Sequence, residues 1–195
     1  MNEEYKKGGC CYGSSSHEVQ FNTLEAVRKY KLLESAVSQG QRDLVESLLE
    51  SGAAVNGHPV CNQLRTPLHS SIRLGDVKIV EKLLSAGASV NVEYFGDTPL
   101  TLAAKLGKLE LVDLLLLAAG LENSTSHEKI THFHIACMRN RIDVVQRLLQ
   151  FQQDVNAVVD SNSCYWPGFT PLHFAVQSQC SEIVEFLLNI GANII

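Results

Sequence analysis

A doublet of leucines returns five times along this chain: Leu48-Leu49, Leu83-Leu84, Leu115-Leu116, Leu148-Leu149 and Leu187-Leu188. An aliphatic pair stands four residues ahead of each: Leu44-Val45, Ile79-Val80, Leu111-Val112, Val144-Val145 and Ile183-Val184. Four residues is about one helical turn, so pair and doublet share a helix face. Five similar amphipathic helices, each with an apolar face it cannot bury alone, demand a stacked array rather than a mixed fold.

A second signal lies ahead of four of these helices. Thr66-Pro67-Leu68-His69, Thr98-Pro99-Leu100-Thr101, Thr131-His132-Phe133-His134 and Thr170-Pro171-Leu172-His173 occupy equivalent places. A threonine hydroxyl can cap free N–H groups at a helix start. Proline fits the first helical position because it lacks an N–H there. Small residues follow (Ser71, Ala103-Ala104, Ala136-Cys137, Ala175), which allow close packing of this first helix. Gly40, Gly75 and Gly107 then suit a tight turn into the second helix; Asn140 and Gln179 stand there in the last two units. Gly52-Ala53-Ala54-Val55-Asn56 and Gly87-Ala88-Ser89-Val90-Asn91 end second helices and lead into extended loops.

With three motifs in one register, the chain resembles the ankyrin-repeat family from about Lys31 onward. Thr66, Thr98 and Thr131 recur 32 and 33 residues apart, against about 33 for that family. The step from Thr131 to Thr170 is 39 residues. The resemblance implies an all-α solenoid of stacked helix–turn–helix units with short hairpin loops. The units fall at about 31–56, 66–91, 98–123, 131–156 and 170–195, within a repeat domain over 23–195. Unit one departs from the pattern, with Lys31-Leu32-Leu33-Glu34 at the helix start. Upstream, Asn22-Thr23-Leu24-Glu25 reads as a capping box and predicts a helix from Thr23 to about Gln39. Residues 1–22, rich in Gly and Ser, are expected to be a disordered tail in which Cys10 and Cys11 are inert thiols.

Composition narrows the partner class. The net charge of −5 argues against nucleic acid, which needs a basic stripe. No apolar run approaches the ~18 residues of a membrane span. The six cysteines form no C-x-x-C pair, and the N-terminus lacks the apolar core of a signal peptide, so free thiols in cytoplasm or nucleus are expected. No phosphate-cradling or nucleophile-elbow motif is present, and no cofactor or metal site is expected; the chain reads as a non-enzyme. His132 and His134 stand two apart at a helix start and point about 200° apart, too far to share one ion easily. His69, His134 and His173 sit where the family resemblance implies a strut bonding loop backbone between units.

The resemblance also implies where a protein partner binds: a concave face lined by loop tips and first helices. Carried over position by position, the tips supply Asn62, Gln63, Arg65, Tyr94, Phe95, Asp97, His127, Glu128, Ile130, Tyr165, Trp166 and Phe169. The first helices add Arg73, Lys105, Met138 and Arg139. Aromatics and Arg dominate hot spots because they bury much area with few rotors to freeze. Two readings stay open: a recognition module, alone or as an adaptor in an assembly such as a ubiquitin ligase, and a structural spacer within a longer ankyrin polypeptide. Also implied by the resemblance is oxygen-dependent hydroxylation of Asn56, Asn91 and Asn156, each with Leu eight residues earlier; Asn123, after Glu122, is the poorest candidate. The long step at 157–169 is expected to be an exposed specificity loop, removable from Val159 to Cys164 without loss of folding. At the last unit Phe186, Ile190, Ile194 and Ile195 add apolar surface where a solenoid end needs a polar face. The chain is therefore expected to be a fragment or short form of a longer polypeptide, with further repeats or another domain after residue 195; the alternative is that this end pairs with a partner or a second copy, the chain being a monomer or weakly self-associating.

Overall fold

The computed structural model describes residues 16–56, 65–119, 131–151, 153–159 and 166–194, with side chains from residue 24 onward. Ten helices stand among them, in five hairpins: α1 (Ser16–Ser38) with α2 (Arg42–Glu50), α3 (Pro67–Leu74) with α4 (Val77–Ser85), α5 (Pro99–Leu106) with α6 (Leu109–Ala118), α7 (His132–Met138) with α8 (Ile142–Gln150), and α9 (Pro171–Gln177) with α10 (Ser181–Asn189). The first helices pack in sequence, α1 on α3, α3 on α5, α5 on α7 and α7 on α9. Helices α2, α4, α6 and α8 form a second layer behind them. Among the described residues no strand forms; one isolated bridge joins Tyr94 and Asp97.

Local chemistry sets the helix starts. Thr66, Thr98, Thr131 and Thr170 take extended backbone, and each hydroxyl accepts from the N–H three residues on. At Thr131 and Thr170 the histidine side chain also accepts from the threonine N–H, closing a capping box. The turns into the second helices run through left-handed backbone: φ is +83° at Gly75, +70° at Gly107, +55° at Asn140 and +57° at Gln179. A Cβ on Gly107 would lie 2.8 Å from Cδ of Arg141. Gln179 carries a Cβ in this region at a cost of about 1 kcal/mol, with no side-chain benefit of the kind Asn gains there. Gln179→Gly is therefore expected to raise the urea midpoint, adding up to about 1 kcal/mol despite the freer unfolded chain. Equilibrium unfolding of the two proteins checks it.

The leucine doublets do not face the core as equal pairs. Leu83, Leu115, Leu148 and Leu187 are fully buried, whereas Leu49, Leu84, Leu116 and Leu149 are only partly covered and Leu188 is exposed. Of the pair ahead, Leu44 is exposed in unit one, but both members are buried in units two, three and four. With about 100° between adjacent helical residues, only one of two neighbours can point straight at the first helices. Ion pairs cross the second layer from unit to unit: Arg42 to Asp76 at 2.7 Å, Lys82 to Glu46, and Arg147 to Asp113 at 2.9 Å. Such half-exposed pairs are worth little individually.

Three expectations need correction. Helix α1 begins at Ser16, so residues 16–22 are helical and the capping-box residues lie inside the helix. Val159 is 1% exposed and its N–H and C=O pair with Phe169 and Gly168, so the base of the long step is packed; residues 160–165 lie outside the described set. Phe186 packs against the core, so it adds no open apolar surface, whereas Ile190 and Ile194 are exposed, as are Val176 and Leu188 of the same unit.

Candidate functional site

The hairpin loop between α4 and α5 gathers the largest group of the expected binding residues. Tyr94 and Asp97 exchange both backbone hydrogen bonds, at 2.9 and 3.1 Å, across a two-residue turn. Phe95 (φ +51°) and Gly96 (φ +79°) form that turn. Positive φ at both central residues defines a type I′ hairpin, the type that follows strand twist and favours Asn-Gly. Phenylalanine at its first position is strained. Its ring meets Tyr94 edge-on at 4.6 Å yet remains 89% exposed.

Neighbouring units lock this hairpin. The Arg65 guanidinium lies 5.5 Å from the Tyr94 ring centroid, within cation–π range. Arg65 Nε is buried and has no hydrogen-bond partner among the described residues. Asp97 works twice: its carboxylate takes Lys105 Nζ at 3.2 Å, and its carbonyl takes His69 Nε2 at 3.1 Å. A carbonyl only accepts, so His69 carries its proton on Nε2, and Nδ1 accepts from the Thr66 hydroxyl at 2.7 Å. Burial holds the His69 imidazole below its ordinary pKa, against the opposing pull of the Asp97 carbonyl and carboxylate. Arg65, Tyr94, Phe95, Asp97 and Lys105 thus form one patch around a neutral histidine strut.

The strut recurs elsewhere. His134 Nε2 donates to the Ala157 carbonyl at 2.9 Å. In unit one Tyr30 does this work, its hydroxyl donating to the Arg65 carbonyl at 3.1 Å. Sequence reasoning missed Tyr30, because the partner lies 35 residues away and no local motif announces it. Trp166 and Phe169 form a separate cluster. Both meet the buried Phe174 edge-on, at 5.4 Å each, and Phe169 also meets His173 at 5.2 Å. Trp166 is 36% exposed, so much of its surface goes into packing. Arg73 and Arg139 are exposed at the ends of α3 and α7, and Met138 is half-buried; these lie in units two and four, apart from the Tyr94 hairpin. Asn62, Gln63, Asn123, His127, Glu128, Ile130 and Tyr165 lie outside the described residues, as do Cys10, Cys11, Cys61 and Cys164.

The loop asparagines tie units together. Asn56 Nδ2 donates to the Gly87 carbonyl at 2.9 Å, and its Oδ1 accepts from the Ser89 N–H at 2.6 Å. Asn156 Oδ1 accepts from the Asn193 N–H at 2.8 Å. Asn91 is exposed. A hydroxylase acting at Asn56 or Asn156 has to draw the amide out of these bonds first. His132 bonds Gln153 at 3.1 Å and His134 bonds backbone, and among the described residues no group of three or more His, Cys, Asp or Glu could hold a metal. Burial, reinforced by Cys180, pushes the Cys137 thiol up to about 12, so it stays protonated. Among the described residues no helix is long and apolar enough to cross a membrane.

A stack of helical hairpins with bonded loops is a scaffold for protein–protein contact, a class that acts without catalysis. A family model described as ankyrin repeats (three copies) matches residues 15–94, 33–126 and 100–195. The chain belongs to the ankyrin-repeat family. It is 32% identical to an ankyrin repeat protein of fowlpox virus (strain NVSL) over 161 residues, 81% of this chain and 47% of the relative. It is 30% identical to Rabankyrin-5 of Mus musculus over 168 residues, 83% of this chain and 14% of the relative. Over a shorter stretch of 64 residues it is 41% identical to ankyrin repeat and SOCS box protein 5 of Bos taurus, covering 33% of this chain and 17% of the relative. The chain spans less than half the length of each of these curated relatives.

Proposed function

We propose that this chain is a recognition module whose partner protein seats on the face formed by loop tips and first helices, anchored at the Tyr94–Phe95 hairpin. The observation that carries this reading is Phe95: a large apolar ring, 89% exposed, on a backbone conformation that disfavours it. Strain of this kind persists where function selects the side chain. Arg65 and Lys105 beside it supply donors, and Tyr94 a second ring, the residue types that dominate protein interfaces. Arg73, Met138 and Arg139 extend the contact along the first helices. Trp166 and Phe169 contribute less, because they already pack on Phe174.

Phe95→Asn separates binding from folding. Asparagine is favoured in this turn, so stability should hold or rise by about 0.5 kcal/mol. Loss of a central aromatic should weaken partner binding by about 2 kcal/mol, roughly 30-fold. Affinity capture with wild type and variant, followed by mass spectrometry and titration of the captured protein, reads both arms. A partner retained at full affinity by Phe95→Asn would favour the spacer reading. The adaptor reading rests on the bovine relative named for a SOCS box; ubiquitin-ligase subunits among the captured proteins would support it.

A further inference from the structure

Solvent reaches α3, α5 and α7 chiefly at their last residues, and each of these ends pairs a base with an apolar side chain. Arg73 and Leu74 close α3, Lys105 and Leu106 close α5, and Met138 closes α7 with Arg139 as its cap. Leu74 is 44% and Leu106 38% exposed, although each stands one residue before a turn and two after a base-free, buried stretch. Units two, three and four each have a described unit on either side, so this row stays open in the assembled stack.

The row carries the sign opposite to that of the whole chain, whose net charge is −5. Helices α3, α5 and α7 contain no Asp or Glu. The acid sits behind them: α2 holds Asp43, Glu46 and Glu50, and α6 holds Glu110 and Asp113. A helix C-terminus favours a cation, yet α2, α6 and α10 have no base in their last turns, so the helix dipole alone does not place one. Among the described residues the ion pairs leave Arg73 and Arg139 without a carboxylate, and Arg65 faces the Tyr94 ring instead of one. Lys105 spends one of its three donors on Asp97, which joins the row to the Tyr94–Phe95 hairpin. Glu34, at the end of α1, is turned to the Ser70 hydroxyl at 2.7 Å and marks the edge of the row.

We propose that the partner segment seated on this row is an extended acidic peptide, with Asp or Glu at about every third residue and aliphatic side chains between. The proposal rests on the reading that a partner protein occupies the face of loop tips and first helices. Its spacing follows from geometry. The first helices pack in sequence, and packed helices lie about 8–10 Å apart. An extended chain rises about 3.3 Å per residue, so a peptide crossing α3, α5 and α7 passes one base about every three residues. Its carboxylates meet Arg73, Lys105 and Arg139 in turn, and its aliphatic side chains lie on Leu74, Leu106 and Met138. A nucleic acid suits the row less well, because its phosphates gain nothing from these aliphatic side chains and are repelled by the acidic second layer.

The test selects random peptides of about twelve residues, long enough to cross three units at this rise, displayed on phage against the immobilised chain. The expected winners are acidic, with acids three apart. The strongest, as a synthetic peptide followed by fluorescence anisotropy, should bind at least about tenfold more weakly to Arg73→Glu with Arg139→Glu, since two attractions become repulsions. Raising the salt should weaken it on wild type as well. Both arginines are exposed, and an unchanged melting temperature shows that the variant folds. Arg73→Gln with Arg139→Gln should give a smaller loss in the same direction and serves if the reversals disturb folding. The proposal is overturned if no peptide is selected, if the winners are neutral or basic, if acidic winners bind the variants as tightly as wild type, or if a single-stranded oligonucleotide of similar length binds more tightly than the peptide. Phe95→Asn is scored on the captured partner and the arginine variants on the peptide. Neutral winners beside a loss at Phe95 therefore sink the acidic peptide and keep the hairpin anchor, and the converse pair of results does the opposite.

Discussion

Leu148→Ala is expected to lower the unfolding free energy by about 2–5 kcal/mol, the range for emptying a fully buried leucine site. Leu148 is fully buried in α8, together with Val144 and Val145 on the turn before it. The cost combines lost apolar burial with a cavity the helices cannot close. In a solenoid each unit leans only on its neighbours, so a weakened fourth unit also loosens the coupling of the fifth to the first three. The urea midpoint should fall, and the transition should broaden if unit five opens first. Leu149→Ala provides the contrast. That side chain is only partly covered, so its loss should cost about 1 kcal/mol on an area basis. Equal losses at 148 and 149 would mean that both members of the doublet serve the core, as the bare sequence pattern suggests.

How far the sequence could be read depended on the reach of each interaction. Threonine caps were legible because donor and acceptor lie three residues apart, in one motif. The left-handed turns at Asn140 and Gln179 were legible from their register with Gly75 and Gly107. The start of α1 was not. Thr23 and Glu25 suit a cap but are also tolerated inside a helix, and residues 16–22 contain no Gly or Pro to stop one. Contacts between units were hidden for the same reason that Tyr30 was. Asn56 reads as a loop residue, yet its amide is spent on Gly87 and Ser89, more than thirty residues on. The binding candidates divided along this line. Phe95 was assigned to a loop tip by its place in the repeat register carried over from the family resemblance. Trp166 looked equally available, but its packing depends on Phe174, whose burial becomes visible only when α9 sits against α7.

Mild acid should destabilise this protein, and His132 should be the main reason. Its ring, at the first position of α7, is half-buried and bonds Gln153 Oε1 at 3.1 Å. Burial holds its pKa at about 4 rather than 6.5; the Gln153 bond opposes the shift and nearby His134 adds to it. The folded state therefore prefers neutral His132 while the unfolded chain takes up a proton below pH 6.5. Stability from this group is complete above 6.5 and is lost as pH falls from there towards about 4. At 1.36 kcal/mol per pH unit the loss amounts to about 2–3 kcal/mol once partial exposure is discounted. His134 and His69, both held low chiefly by burial, act in the same direction. Protonating His134 would also turn Nδ1 into a donor facing the Thr131 N–H, 3.3 Å away, and break the cap. Asp76 responds at lower pH. Burial raises its carboxyl, but Arg42 and the Ile79 and Lys78 N–H groups outweigh this and hold it below 3.8, so its contribution falls away below that value. Urea midpoints at pH 7.5 and pH 5.5 therefore weight the histidines over the carboxylates, which stay mostly ionised at both. His132→Gln, which cannot titrate, should remove most of the difference between the two. A pH dependence as steep as wild type in that variant would assign the acid sensitivity to His69 and His134 instead.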